Sequence, residues 1–480
     1  MIHNDKQLNS LYWGIVFFAF AALLVSFYMH SLLPVLSGFV FIILLGIFFF
    51  PGIAFTLLLL ALPLSIEYYA GSLSTDLPSE PLTILLAALT LFYILTKTTS
   101  IAAFLRHPFV IIISLLYIWS LTSALFSIDK VVSTKYILAK AWYILGFFVT
   151  AYVFTEEIKS LQRNLLMLIV PTVLGVFYII VRHGLMGFTF DSINAACQPI
   201  FRNHVNYAIF IGMLLPYLIY FISIVQKGRL SRLLLILSTL FFLVAIYFTY
   251  TRGVWLALLS LPLFILIVHH KKIITTYVLL LSIILCLGLY LVRENRYLDY
   301  APNYDTTIYH NQLDEHLKAT LSGEDMSTME RFYRWIAAIK SVPQYGLSGS
   351  GPNTFYEVYK SYTVSSFQTY ISRNEEQSTV HNYALLMLTE QGIIGALLYL
   401  IWLGVILYFI QKYYHQSIGV QKKLILAISC SIFVFLINNC FSDLVESNKV
   451  GSLFYINLAW LILCGEGLFL DGKQRIAIND

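Results

Sequence analysis

Apolar runs of about 20 residues alternate along this chain with short polar joints, and a run of that length crosses a hydrocarbon layer as a helix. A helix is the form such a run takes, because every backbone amide and carbonyl must be bonded inside the segment. About fourteen runs are expected, near 11–29, 33–50, 52–68, 81–96, 108–126, 137–154, 164–181, 206–225, 231–248, 252–268, 273–292, 384–410, 421–438 and 449–467. The run from Leu11 is too long for the apolar core of a secretory signal and leads into further runs, so it reads as a retained first span. One long polar segment, 294–380, interrupts the series. The chain therefore divides into an N-terminal transmembrane bundle (1–293), a large outer loop (294–380) and C-terminal helices with a tail (381–480).

Composition agrees with this pattern. Of 480 residues, 59% are hydrophobic and 11% charged, with a mean hydropathy of +0.78, which excludes a soluble globular protein. The expected fold class is an all-α polytopic membrane protein of about 12–14 transmembrane helices. A net charge of +5 is spread over short joints, so it signals no nucleic-acid partner. Its distribution does set orientation. Lys97, Arg106, Lys159, Arg163, Lys227, Arg229, Arg232, Lys271, Lys272, Lys412, Lys422, Lys423 and the tail's Lys473 and Arg475 fall in alternate joints. By the bias of basic residues towards the cytoplasm, those joints and both termini face inward, and 294–380 faces outward. The segments around 182–206, 250–252 and 438–448 face outward with it. The five cysteines show no metal or redox spacing.

Three outward stretches hold the informative polar residues: Phe201-Arg202-Asn203-His204, Thr251-Arg252-Gly253-Val254-Trp255, and His381-Asn382. An arginine at the outer boundary suits a phosphate or diphosphate, since its planar fork donates bidentately and stays charged. Arg202 and Arg252 equally fit snorkelling to lipid headgroups, and Trp255 fits an interfacial aromatic belt. In the outer loop, Ser327 is expected to cap a helix on which Arg331, Arg334 and Trp335 fall at helical spacing, either as ligand contacts or as a solvated face. A glycine-rich turn, Pro343 to Phe355, should then break it. His381 can exchange a proton near neutrality, or simply end a helix. Gly392 and Gly395 share one helical face that permits close approach. Asp443 and Glu446 either orient a basic partner or belong to a hydrated loop. No Gly-x-Ser-x-Gly, P-loop or zinc spacing occurs, and no outer Asp-x-Asp pair would hold a divalent ion.

Taken together, these residues resemble the O-antigen ligase and Wzy-type polymerase superfamily. His381, Asn382, nine residues, Gly392, two residues and Gly395 meet its pattern. Thr251-Arg252-Gly253 looks like its Arg-Gly element, and Arg331 to Trp335 followed by Gly346 to Phe355 looks like its outer-loop pattern. The resemblance runs from about Arg202 to Tyr399. It implies a GT-C-like helical bundle in the bacterial inner membrane, with the active site facing the periplasm. It further implies transfer of a glycan from undecaprenyl diphosphate to an acceptor hydroxyl, with neither metal nor other cofactor. The acceptor is lipid A–core in a ligase and another lipid-linked glycan in a polymerase. On that reading Arg202 and Arg252 hold the diphosphate, and His381 acts as base or orients the acceptor. Asn382, Arg331, Arg334, His204 and Trp255 then serve as further substrate contacts. The rival from another class, a flippase for lipid-linked sugars, predicts charges at mid-depth, whereas here they gather at the outer boundary, with Lys140 nearest to an exception.

Overall fold

In a computed structural model, the structure describes residues 51–70, 73–96, 98–300, 326–363 and 379–466. Among these, ten helices are long and apolar enough to cross a membrane. The protein is thus an all-α polytopic membrane protein; the expected spans at 11–29 and 33–50 lie outside the described residues. In chain order the helices are α1 (Pro51–Ala61), α2 (Ser79–Thr96), α3 (Thr98–Leu105), α4 (Pro108–Leu125) and α5 (Lys130–Phe154). Next come α6 (Ile158–Leu185), α7 (Phe190–Cys197), α8 (His204–Ile224), α9 (Leu230–Tyr247), α10 (Arg252–His269) and α11 (Ile273–Val292). The last are α12 (Met326–Tyr345), α13 (Phe355–Tyr362), α14 (Tyr383–Gln416), α15 (Gly419–Asn439) and α16 (Asn448–Gly465).

The bundle is built around α16, which is buried from Lys449 to Cys464 and packs against α5, α8, α14 and α15. A helix that is apolar all round belongs in such a place. Its few polar groups are answered locally. Asn457 donates to the Ser431 hydroxyl at 2.9 Å and accepts from the Tyr217 hydroxyl, and the Trp460 indole donates to Thr155 at 3.2 Å. In lipid an unanswered polar atom costs several kcal/mol, on the order of a lost hydrogen bond or more.

The two ends differ in kind. At one end Lys423 donates to Ser223, a His415 ring nitrogen meets the Val268 carbonyl at 2.9 Å, and His107 meets the Tyr413 hydroxyl at 2.9 Å. This end carries the basic joints. The opposite end gathers the stretch after α6, the turn before α10, the start of α14 and the loop 440–447.

Three local expectations need correction. The run at 52–68 is not one span: α1 stops at Ala61, a 3-10 turn holds Leu62–Leu64, and an antiparallel hairpin follows. Pro63 has no amide to continue the helical ladder, and the β-branched and aromatic residues beyond it favour a strand. The strands are β1 (Ile66–Ala70) and β2 (Leu73–Leu77), paired from Ile66↔Leu77 to Ala70↔Leu73. α12 is described from Met326, which places Ser327 inside it, and it runs through Pro343 to Tyr345, so the break comes after Tyr345 and not at Pro343. Gly392 does not lie on a regular helix: its φ of 70° and ψ of −171° kink α14.

Candidate functional site

The His381 stretch ends a segment that runs back to α12, and the loop 440–447 presses against it. The His381 amide donates to Oδ2 of Asp443 at 3.1 Å, with His381 itself at φ 56°. That left-handed backbone is uncommon outside glycine. Asn382 is the N-cap of α14: its Oδ1 accepts from the Leu385 amide at 3.0 Å, and its Nδ2 donates to the Cys440 carbonyl at 3.1 Å. Asparagine suits this position because its side chain satisfies an amide that the helix cannot. Asn382 therefore fixes the histidine and the loop together through both ends of its amide.

Arg331 and Arg334 come from α12 and differ in role. Arg334 is 1% exposed; its Nε and NH2 reach Oε1 of Glu330 at 3.2 and 3.0 Å. Its NH1 donates to the Thr379 carbonyl at 3.0 Å, so it ties down the backbone two residues before His381. Arg331 is half-buried, and its Nε donates to the Phe441 carbonyl at 3.2 Å. Burial, then the charges of Arg331 and Arg334, pushes the His381 imidazole down to about 3. Burial pushes the Asp443 carboxyl up to about 7, and its Oδ1 is buried without a hydrogen-bond partner.

The glycines explain how this geometry is reached. A Cβ on Gly392 would lie 2.2 Å from the Leu347 carbonyl oxygen, and one on Gly349 would lie 2.2 Å from the Glu390 carbonyl carbon. The loop after α12 is thereby laid directly on the α14 backbone. The amides of Ser350 and Gly351 donate to the carbonyls of Thr389 and Glu390 at 3.0 and 2.9 Å, and Ile393 donates back to Gly346 at 3.0 Å. Glu390, 3% exposed, accepts from the amides of Asn353 and Phe355 at 2.7 and 3.0 Å and so caps α13. Gly395, beneath the kink, accommodates Trp119 of α4, whose indole donates to the Gln391 carbonyl at 2.8 Å.

Arg252 opens α10 beside α15: a Cβ on Gly253 would stand 2.7 Å from Oδ1 of Asn438, two residues before the loop 440–447. Trp255 packs half-buried against the core, its ring edge-on to Tyr247. His204 is held by Asn194, whose Oδ1 meets both its amide (3.0 Å) and its Nδ1 (2.7 Å). The Arg331 charge acts on His204 as well as on His381.

Arg202 sits elsewhere. It is exposed and lines a cavity of about 270 Å³ with Glu67, Asp76, Glu80, Glu446 and Lys449. Carboxylates thus surround Arg202, with Lys449 as the second cation of the lining. Glu446 belongs to both neighbourhoods. Its Oε1 accepts from the hydroxyls of Tyr136 and Tyr383 at 2.7 and 2.6 Å and pairs with Lys140 at 3.2 Å.

Sequence reasoning named Asp443 and Glu446 as groups that could orient a basic partner, and Glu446 does pair with Lys140; it missed that this partner is Lys140, and the part played by Glu390. The signal available was a lysine and a glutamate inside apolar runs, each of which needs a partner when buried. Among the described residues, no group of three or more His, Cys, Asp or Glu side chains converges as a metal site.

Comparison with known families matches residues 237–400 to Wzy_C, described as O-antigen ligase. The matched segment contains Arg252, Arg331, Arg334, His381, Asn382 and the kink at Gly392. A search of curated proteins gave no match.

Proposed function

We propose that the chain, whose residues 237–400 match the O-antigen ligase family, has a ligase- or polymerase-type role of the following form. It moves a glycan from undecaprenyl diphosphate to an acceptor hydroxyl on the periplasmic face of the inner membrane. In the ligase reading the acceptor is lipid A–core; in the polymerase reading it is another lipid-linked glycan. The observation that carries the proposal is His381, fixed by Asp443 and Asn382 and facing the charge of Arg331.

The chemistry follows from that arrangement. A ring titrating at about 3 is neutral near pH 7 and offers a lone pair to an acceptor hydroxyl. Its basicity is low for a general base, first because burial disfavours the charged ring and then because the neighbouring guanidinium groups oppose a second positive charge. A donor diphosphate relieves the second of these. Its negative charge against Arg331 and Arg252 removes the opposition, so His381 gains basicity when the donor is in place. The acceptor oxygen then bonds to the anomeric carbon, and the carbon–phosphate oxygen bond breaks. Its electron pair stays on the diphosphate, stabilised by the arginines, and the hydroxyl proton passes to His381. Attack opposite the leaving group inverts the anomeric centre. Asn382, Arg334 and Trp255 act as positioning residues, and His204 is kept as a second imidazole near Arg331.

Purified protein, undecaprenyl-diphosphate-linked glycan and lipid A–core, incubated with EDTA, test the proposal directly. Glycan on lipid A–core identifies a ligase, and longer lipid-linked chains identify a polymerase. His381→Ala and Arg252→Ala should each abolish product at normal protein levels. Full activity in both removes the site.

A further inference from the structure

The cavity on the far side of Glu446 is absorbed by nothing in the proposed chemistry, and we infer that it seats an uncharged sugar ring of the acceptor glycan. This rests on the reading above as a glycan transferase. Three observations carry it.

The first is that the cavity has a fixed polar floor. Glu80 accepts from the Thr75 hydroxyl at 2.8 Å and from the Asp76 amide at 3.1 Å, and Asp76 accepts from the Asn448 amide group. Lys449 donates to the carbonyls of Pro63, Ser65 (2.7 Å) and Ile200 and lies 4.4 Å over the Phe201 ring. These groups hold one another in place, with further lone pairs left on the carboxylates for hydroxyl donors.

The second is the pair of charged groups lining the same space from the β-hairpin and the stretch before α8. Among the described residues, the side chains of Arg202 and Glu67 have no hydrogen-bond or ion-pair partner, and both line the cavity. One donates and one accepts, as vicinal hydroxyls require. Lys140 neutralises Glu446 from behind, so three carboxylates face two cations. A phosphate meets net repulsion there, while an apolar group finds few partners. At about 270 Å³ the space lies near the ~300 Å³ lower bound of small-ligand sites, the size of one ring and not of a chain.

The third is position. Glu446 lines the cavity and also holds Tyr383, two residues beyond His381, while Asp443 of the same loop holds His381 itself. The cavity and the imidazole thus share the loop 440–447 as a common wall.

Saturation-transfer NMR on the purified, detergent-solubilised protein tests this without any donor. The probes are methyl α-glucoside, N-acetylglucosamine and glucose 1-phosphate. At least one neutral sugar should show transfer that a Glu67→Ala/Arg202→Ala double variant loses, and glucose 1-phosphate should show less. In the transfer assay Glu67→Gln should raise the acceptor KM about tenfold, equivalent to about 1.4 kcal/mol, with donor KM and kcat within about twofold. Absence of neutral-sugar binding, equal binding of glucose 1-phosphate, or an unchanged double variant of wild-type melting temperature would overturn the inference. Sugar binding that persists while no glycan is ever transferred would instead sink the transferase reading and leave the cavity standing.

Discussion

Asp443 holds His381 by its backbone: Oδ2 accepts the His381 amide at 3.1 Å, while among the described residues no side chain bonds the imidazole. The carboxylate therefore aims the ring without acting as its proton partner. The two groups also titrate in opposite senses, one pushed down to about 3 and the other up to about 7.

That opposition fixes the pH dependence of stability. His381 binds its proton less readily folded than unfolded, so its contribution is lost as pH falls from about 6.5 towards 3. Asp443 is held protonated, so its contribution is complete below about 4 and is lost as pH rises towards 7. Between about pH 4 and 6.5 the two slopes offset each other. Melting temperature in detergent should be nearly flat there in the wild type. It should climb with pH in Asp443→Asn and fall with pH in His381→Ala; parallel curves for all three proteins would refute the assignment.

Donor binding should raise the His381 pKa. The acid limb of kcat/KM for donor reports free enzyme and should lie below the working pH range. The limb of kcat reports the donor complex and should appear at higher pH. Arg331→Met should bring the two limbs together by removing the charge that separates them. Coincident limbs in the wild type would count against electrostatic coupling.

Arg331 and Arg334 should separate by phenotype. Removing Arg334 leaves Glu330 buried without its partner, so Arg334→Met should cost on the order of 3–5 kcal/mol and lower the amount of folded protein. Arg331→Met should fold normally and transfer slowly but measurably. Size-exclusion profiles after heating, read beside activity, distinguish the two, and similar losses of fold in both would contradict the division of roles.

Gly392→Ala should destabilise by at least ~1–3 kcal/mol, since φ 70° with ψ −171° is tolerated almost only by glycine. The added methyl also meets the Leu347 carbonyl. Gly404→Ala, whose methyl would meet only the Tyr277 ring at 3.4 Å, is the control and should behave as wild type. Equal melting temperatures for both variants would show that the kink is not required.

Much of this was legible in one dimension. Apolar run lengths gave the helices, because lipid forces each span to satisfy its own backbone. The basic joints at Lys271, Lys412 and Lys423 do share one end of the bundle with His107 and His415. His381, Asn382, Gly392 and Gly395 were visible as a pattern, yet the pattern did not reveal that Asn382 spends its amide on a cap or that Gly392 bends the helix. Partnership was hidden altogether. Lys140 and Glu446 meet across the fold, and no local window contains both. Arg334 looked like Arg331 at helical spacing, and only tertiary packing buried one of them. The β-hairpin failed for another reason: its apolar residues continue a helical run, and Pro63 was too near the run's end to divide it.

The loop 440–447 comes last among the parts of this site, and it brings Asp443 and Glu446, with Lys449 just beyond it. During synthesis the arginines and the histidine emerge first and wait. Until the final helical hairpin inserts, His381 lacks its anchor, Lys140 lacks its counter-ion and the cavity lacks one wall. A chain cut before this loop therefore leaves His381 and Lys140 unheld, and their anchors arrive together on one short segment.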